Sequence, residues 1–371
     1  MTTSTNHPDP HALKRLLEED EAAWNAFVQC APGGDLVQTS AWGRSKRAVG
    51  LGTRLVVVRD RAGAIVGGAQ IILKRVAPGL AAGGVARGPL LRDASADAER
   101  VVDRVVSEAR AAGVRFLILQ PPEGGEAVEQ VLEARGFETG CPSVAPEATI
   151  RLDLRQTDDE LLAAMSKMRR RYLDKRHTGA LEISAEDDVD LFQRLHAATA
   201  ARRGFTALDV APLRAQWDAL APSGRCVILI ARHEGVPVSG AWLTSFAGVT
   251  TFRLAGWDAD AGARAAASKH ANEAVQWAAI GWARSFGAHT HDLGGFDRRA
   301  AETILAGGDL PEGFRRTPDH FKYGFGGSLV LFPVARWAVI GRGVGAVARP
   351  LVRRMLASDR ARSAMGRVRN G

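Results

Sequence analysis

The amino-acid sequence predicts two related α+β domains in tandem, and three observations carry that prediction. Residues 56–73 (VVVRDRAGAIVGGAQIIL) and 227–246 (VILIARHEGVPVSGAWLTSF) share one design: a β-rich run, a polar turn and a second β-rich run. Gly63, Val66, Gly68 and Ala69 of the first passage match Gly235, Val238, Gly240 and Ala241 of the second. Each passage is followed by a helical stretch, a glycine and a strand: residues 94–112, Gly113 and RFLILQ in one case, residues 263–286, Gly287 and HTHDLG in the other. The separation between copies changes by two residues over the whole match, which marks an internal repeat.

Taken in order, the chain opens on a polar, acidic segment with no apolar h-region, and so reads as having no secretory signal. The first hairpin, helix and strand complete a first domain over residues 1–154. The boundary falls in TIRLDLRQTDDELLAAM, where Ile150 to Leu154 alternate like a strand and Thr157 or Asp158 caps a helix. That helix runs into SKMRRRYLDKRHTG and ends at Gly179. The second domain spans residues 155–327. Residues 328–335 read as a strand returning to the first domain, and residues 336–371 as a basic amphipathic tail.

The tail carries the charge. Of the formal net charge of +8, all resides after position 335, where nine arginines face one acid, Asp359. On a helical wheel Arg342, Arg349, Arg353 and Arg360 share one side, and Trp337, Ile340, Val344, Val347, Leu351 and Met355 share the other, with a kink at Pro350. Two readings stay open: a helix packed on the body with a solvated basic face, or a helix lying on an anionic membrane surface. No stretch reaches the ~18 uncharged apolar residues of a membrane span. Cys30, Cys141 and Cys226 are odd in number and far apart, which fits a reducing cytoplasm.

A set of motifs, in order along the chain, resembles the FemABX family. They are LVQTSAWGRSK (36–46), VARGPLL (85–91), MRRRYLDKRHTG (168–179), TAARRGF (199–205), WAAIGWARSFGAHTHDLGGFD (277–297) and FKYGFGG (321–327), together with the two hairpins. The resemblance implies two tandem GNAT-like domains, the compact type without a helical arm. It also implies transfer of an amino acid from aminoacyl-tRNA to the stem peptide of a peptidoglycan precursor, lipid-linked or UDP-linked, with no further cofactor.

It assigns residues too. Phe321 and Lys322 match the Phe-Lys motif of the transfer centre, where a compact ammonium suits a developing oxyanion. Trp42 and Lys46, in W-G-x-x-K, and Arg202 match positions that reach precursor phosphates. Arg169, Arg170 and Lys175 form an anion surface that reads either as a contact for the tRNA backbone or as a solvated helix face. Where the family often carries an acid, this chain has Gln120, followed by PPE with Glu123 nearby. Asp292, in HDLGG, is the remaining acid candidate, in a structural or a catalytic role.

Other readings are weaker. His289 and His291 lack a third ligand at useful spacing, so no metal is expected. A CoA-dependent N-acyltransferase would need a phosphate-binding turn in DADAGARAAASKHANEA. That stretch offers Gly262 and Arg264 but also Asp258 and Asp260. A noncatalytic cell-envelope binding protein is a third class, left open by Gln120. Nothing points to DNA.

Overall fold

The computed structural model describes residues 10–93, 96–174, 180–258, 270–315, 317–341 and 353–354. Helices α1 (Pro10–Cys30) and α2 (Ser40–Ala48) lead into a first sheet of β1 (Gly52–Arg59), β2 (Ile65–Ala77), β3 (Leu80–Ala86), the short β4 (Leu90–Leu91) and β5 (Val114–Gln120). Between β4 and β5 runs α3 (Ala98–Ala111), whose Val101, Val102, Val105, Val106 and Ala109 recur at helical spacing and are all buried against Ile71, Val85 and Leu117.

After α4 (Glu126–Ala134) come β6 (Ala148–Asp153), α5 (Asp158–Ala164), α6 (Lys167–Leu173), β7 (Leu181–Glu186), α7 (Val189–Arg203) and α8 (Val210–Leu220). The second hairpin is β8 (Cys226–His233) and β9 (Val236–Phe246), followed by β10 (Val249–Trp257), α9 (Ala271–Ser285) and β11 (Thr290–Phe296). The chain closes on α10 (Arg298–Leu305), α11 (Pro318–Tyr323), β12 (Ser328–Leu331) and β13 (Arg336–Val339).

The repeat is structural. The first sheet runs β1-β2-β3-β5 and the second contains β8-β9-β10-β11, and in each the first three strands are antiparallel while the fourth joins in parallel. The matched glycines have a common cause. A Cβ on Gly68 would sit 2.9 Å from the Trp24 ring of α1, and one on Gly240 would sit 3.3 Å from the Phe192 ring of α7. Each hairpin therefore accepts an aromatic side chain pressed onto a bare strand.

The two halves exchange strands. Ile150 and its neighbours form a strand as expected, but β6 pairs antiparallel with β11 in the second sheet, so the chain leaves the first sheet before the boundary at 154. The strand at 328–335 also differs from expectation. Residues 328–331 pair with β6 and stay in the second sheet, while β13, read in the sequence as the start of the tail helix, pairs with β5 and completes the first. Alternation identifies a strand but not its partner, and the exchange is a matter of partners. Trp337 is 2% exposed within that strand, and Arg336 pairs with Glu129 at 3.1 Å. Most of the tail, residues 342–352 and 355–371, lies outside the described residues. Arg353, exposed, pairs with Glu138 at 2.7 Å.

The expected single helix after residue 155 is two. Thr157 and Glu160 form a reciprocal capping box on α5, Met165 breaks it, and Ser166 caps α6. Gly179 and residues 259–269 lie outside the described residues. One core cluster belongs to both halves: Trp24, Val28, Leu36 and Trp42 pack with Phe192, Leu213, Ile228 and Trp242.

Gln120, at the end of β5, holds the crossing. Its amide nitrogen donates to the carbonyl oxygens of Pro146 (3.4 Å) and Pro333 (3.3 Å), and its oxygen accepts from the Ala145 N–H (2.8 Å). It thus grips the outgoing and the returning chain, a task that requires two donors. Gln120→Glu removes both at a fully buried position and is expected to cost about 3 kcal/mol of stability at neutral pH. Burial raises the folded-state pKa of such a carboxyl, so the loss should grow as pH rises above about 4.3, the unfolded value. Urea unfolding of both proteins at pH 4.5 and 7.5 measures this.

Candidate active site

A cavity of about 530 Å³ lies between the two sheets, lined by both halves. Among the described residues, six cationic side chains face it, namely Lys46, Lys74, Arg87, Arg151, Arg253 and Lys322, against the acids Asp35 and Asp292. Such a lining suits a polyanionic ligand.

Trp42 and Lys46 lie one turn apart on α2, which Thr39 caps by accepting the Trp42 N–H at 3.3 Å. The buried Trp42 ring has the Lys46 ammonium 4.6 Å from its centre and the Arg253 guanidinium at 4.9 Å. Burial, and then the nearby Arg253, lower the Lys46 pKa to about 8. Arg253 reaches the cavity because β10 bulges between Phe252 and Leu254, which turns the intervening side chain.

The same region parts two strands. β10 and β11 pair in parallel only at residues 249–251 and 290–292, whereas β3 and β5 pair from Ala81 to Ala86. Past the fork, α7 takes over the freed edge of β10. The His196 ring nitrogen meets the Ala255 oxygen at 2.9 Å, and the Thr199 hydroxyl bonds both the N–H and the oxygen of Trp257. On the other strand β11 bulges between Asp292 and Gly295. Gly294 is required there: its φ is +78°, and a Cβ would fall 2.4 Å from the Phe252 oxygen.

Lys322 stands at this fork. Its helix, α11, is capped by Thr317 and has Pro318 in its first turn. The ammonium donates to the Gly295 carbonyl on the β11 bulge. Phe321 points the other way. It packs on Phe325 at 5.2 Å in the core of the second half and under the Arg169 guanidinium at 4.5 Å, so it anchors the helix and does not line the cavity.

Asp292 faces the cavity but is engaged. One oxygen accepts from the Thr149 hydroxyl (2.5 Å) and the Gly294 N–H (2.8 Å), and the other from Arg151 Nε (3.4 Å). Arg151 also binds Glu123 at 2.7 Å, tying the first half to the second. Asp292 therefore fixes the bulge on which Lys322 rests.

Three expected contacts fall elsewhere. Arg202, exposed at the end of α7, stacks 3.9 Å over Trp257 at the end of β10 and does not line the cavity. Arg169 is buried and ion-paired with Glu273, whose own pKa is raised by burial. It holds the Lys322 segment and presents no surface to an RNA backbone. Arg170 is exposed but donates to the Ala163 oxygen at 2.9 Å, stapling the break between α5 and α6. Lys175 lies outside the described residues.

Sequence reasoning missed Arg87, Arg151 and Arg253. Arg87 is 6% exposed, adopts a φ of 55°, and lies 3.5 Å over the Phe332 ring. Its Nη2 donates to the Pro146 oxygen at 2.7 Å, while Nη1 has no hydrogen-bond partner among the described residues. Burial lowers its pKa to about 10, which leaves it charged at neutral pH. The one signal was its place in VARGPLL. His291 is fully buried beside Gln276, with a pKa pushed down to about 3 by burial, whereas His289 is exposed. Among the described residues no three metal-binding side chains come together.

Residues 162–303 match the acetyltransferase (GNAT) domain family. The lipid II:glycine glycyltransferase of Staphylococcus epidermidis is 28% identical over 233 residues, covering 58% of this chain and 55% of that protein. Its counterpart in Staphylococcus aureus is 27% identical over 226 residues, covering 57% and 53%. The chain thus spans about half the length of the curated relatives it matches. Among solved structures, FemX superposes with a TM-score of 0.71 at 18% identity, covering 91% of this chain and 98% of FemX. The C-terminal domain of a putative lysylphosphatidylglycerol synthetase from Agrobacterium fabrum gives 0.53 at 16% identity, covering 91% and 95%. In sequence the chain is thus similar to the lipid II:glycine glycyltransferases, and its fold is that of two tandem GNAT-like halves.

Proposed function

We propose that this protein is an aminoacyltransferase that joins an amino acid to an amine of a peptidoglycan-precursor stem peptide, drawing it from aminoacyl-tRNA. The observation that carries the reading is the Lys322 ammonium at the β10–β11 fork, facing a cavity lined with further cations. The relatives named lipid II:glycine glycyltransferases support the acceptor class.

The chemistry follows from the arrangement. The acceptor amine attacks the carbonyl carbon of the donor ester, the carbonyl oxygen becomes an oxyanion, and collapse breaks the bond to the ribose oxygen. The proton lost by the amine goes to that leaving oxygen. Negative charge grows first on one oxygen and then on the other, and a fixed ammonium beside both lowers each barrier. Asp292 and Gly294 hold the shelf on which Lys322 rests. Lys46, with Arg253 and Arg87, forms the wall that receives the precursor diphosphate. Arg202 stacks on Trp257 outside the cavity lining.

A CoA-linked donor is the second reading, favoured by the GNAT match over residues 162–303. Transfer of a labelled amino acid to a muropeptide precursor separates the two. Loss of amino-acid transfer on RNase treatment is expected; transfer of a labelled acetyl group from acetyl-CoA to the same precursor, with no amino-acid transfer from aminoacyl-tRNA, would establish the second reading.

Lys322→Ala should lower turnover by roughly a hundred- to a thousandfold, with precursor affinity and melting temperature near those of the parent. Lys322→Arg should recover little of it, since a planar guanidinium cannot occupy the ammonium's seat on the Gly295 carbonyl. Pre-steady-state transfer and calorimetric binding measure the two quantities.

Lys46→Ala should do the reverse, weakening precursor binding by roughly ten- to a hundredfold. Lys46 must hold its proton to bind phosphate. With a pKa lowered to about 8, the parent's binding should weaken as pH rises through that value. Lys46→Arg stays charged and should show no such step between pH 7 and pH 9. Isothermal titration at the two pH values tests it.

A further inference from the structure

The hairpin joining β2 and β3 extends the first sheet into solvent. Residues 74–80 are all exposed, and two of them are large and apolar: Val76 at 65% and Leu80 at 39%. Lys74 and Arg75 stand beside them, and there is no acid between Asp60 and Asp93. Exposed apolar side chains rimmed by cations on a turn have the composition of a membrane-interface contact.

A second observation converges on the same end of the sheet. The turn touches the start of β5: the Ala81 N–H donates to the Gly113 oxygen at 3.1 Å, and a Cβ on Gly113 would lie 3.2 Å from the Gly79 oxygen. β13 runs antiparallel to β5 and ends there, with the Ile340 N–H on the Arg115 oxygen and Arg110 Nε on the Ile340 oxygen. Gly341, after which the sequence carries eight further arginines, thus stands at the hairpin's end of the sheet. Glu108, near this end of α3, is engaged by Arg54 and Arg104.

We propose that this end of the first sheet, the 74–80 hairpin, docks on an anionic lipid bilayer. The cavity then has a direction. Ile72, Lys74 and Ala82 line it at the hairpin end, together with Leu51 and Lys46, which the Leu51 N–H to Lys46 oxygen bond holds together. Arg87, Asp292 and Lys322 lie toward the far end. Between Ala82 and Arg87 the chain advances roughly 17 Å at ~3.3 Å per residue. A lipid-linked diphosphate would meet Lys46 and Lys74 next to the bilayer, and its peptide would extend toward Lys322. The docking surface stands on its own geometry, while this use of it rests on the transfer reading above.

Co-sedimentation of the full chain with phosphatidylglycerol–phosphatidylcholine vesicles tests the docking. Binding is expected, with weakening at high salt and on removal of the anionic lipid. Val76→Asp combined with Leu80→Asp should reduce vesicle affinity at least tenfold, and Val76→Trp should raise it severalfold. The Asp pair should leave transfer to a water-soluble precursor unchanged. Vesicle binding that ignores both variants would overturn the proposal, as would binding of duplex RNA through this hairpin with none to vesicles. Absence of transfer from a protein that docks as described would instead defeat the transfer reading and leave the surface standing.

Discussion

The architecture depends on an exchange of edge strands. β6 leaves the first half to flank β11, and β13 returns from the chain's end to flank β5. Gln120 closes the crossing by bonding chain on both sides of it. Neither sheet can be completed from one half of the sequence, so the halves are not free to swing as linked domains. The shared core of Trp24, Trp42, Phe192 and Trp242 reinforces this. A cavity between sheets locked in this way keeps its shape when empty, which is the condition for charges to be held ready for a ligand.

Holding those charges is expensive. Lys46, Arg87 and Arg253 all have pKa values lowered chiefly by burial, so each would be better solvated elsewhere. They persist because the surrounding structure fixes them: an aromatic ring between Lys46 and Arg253, the Phe332 ring under Arg87, and a strand bulge behind Arg253. An anion entering the cavity relieves that cost. The buried Arg169–Glu273 pair acts differently, its charges satisfying each other while Arg169 covers Phe321 and so orients the helix bearing Lys322.

Much of this was legible in the sequence. The paired hairpins with their matched glycines gave the repeat, because a strand pressed by an aromatic ring leaves little room for a side chain there. The placing of Lys322 between aromatics reflects a helix anchored on one side and functional on the other, although Phe321 turned out to be the anchor alone. What stayed hidden depends on partners and not on periodicity. The swap of β6 and β13 leaves no local mark. Arg253 reads as an ordinary strand residue until the bulge turns it. Arg169 in the sequence resembles a contact for an RNA backbone and Arg202 one for precursor phosphate, yet the first is ion-paired with Glu273 and the second stacks on Trp257.

The two copies of the repeat are not equivalent. In the first, β3 and β5 are paired along their whole common length, while in the second β10 and β11 diverge after three pairs and α7 bonds the freed edge of β10. Of the two copies, only the second therefore presents parted strand edges to the cavity. If the protein acts as proposed, the donor end has one place to lodge, and a bridge of several amino acids would grow by repeated reloading of that place.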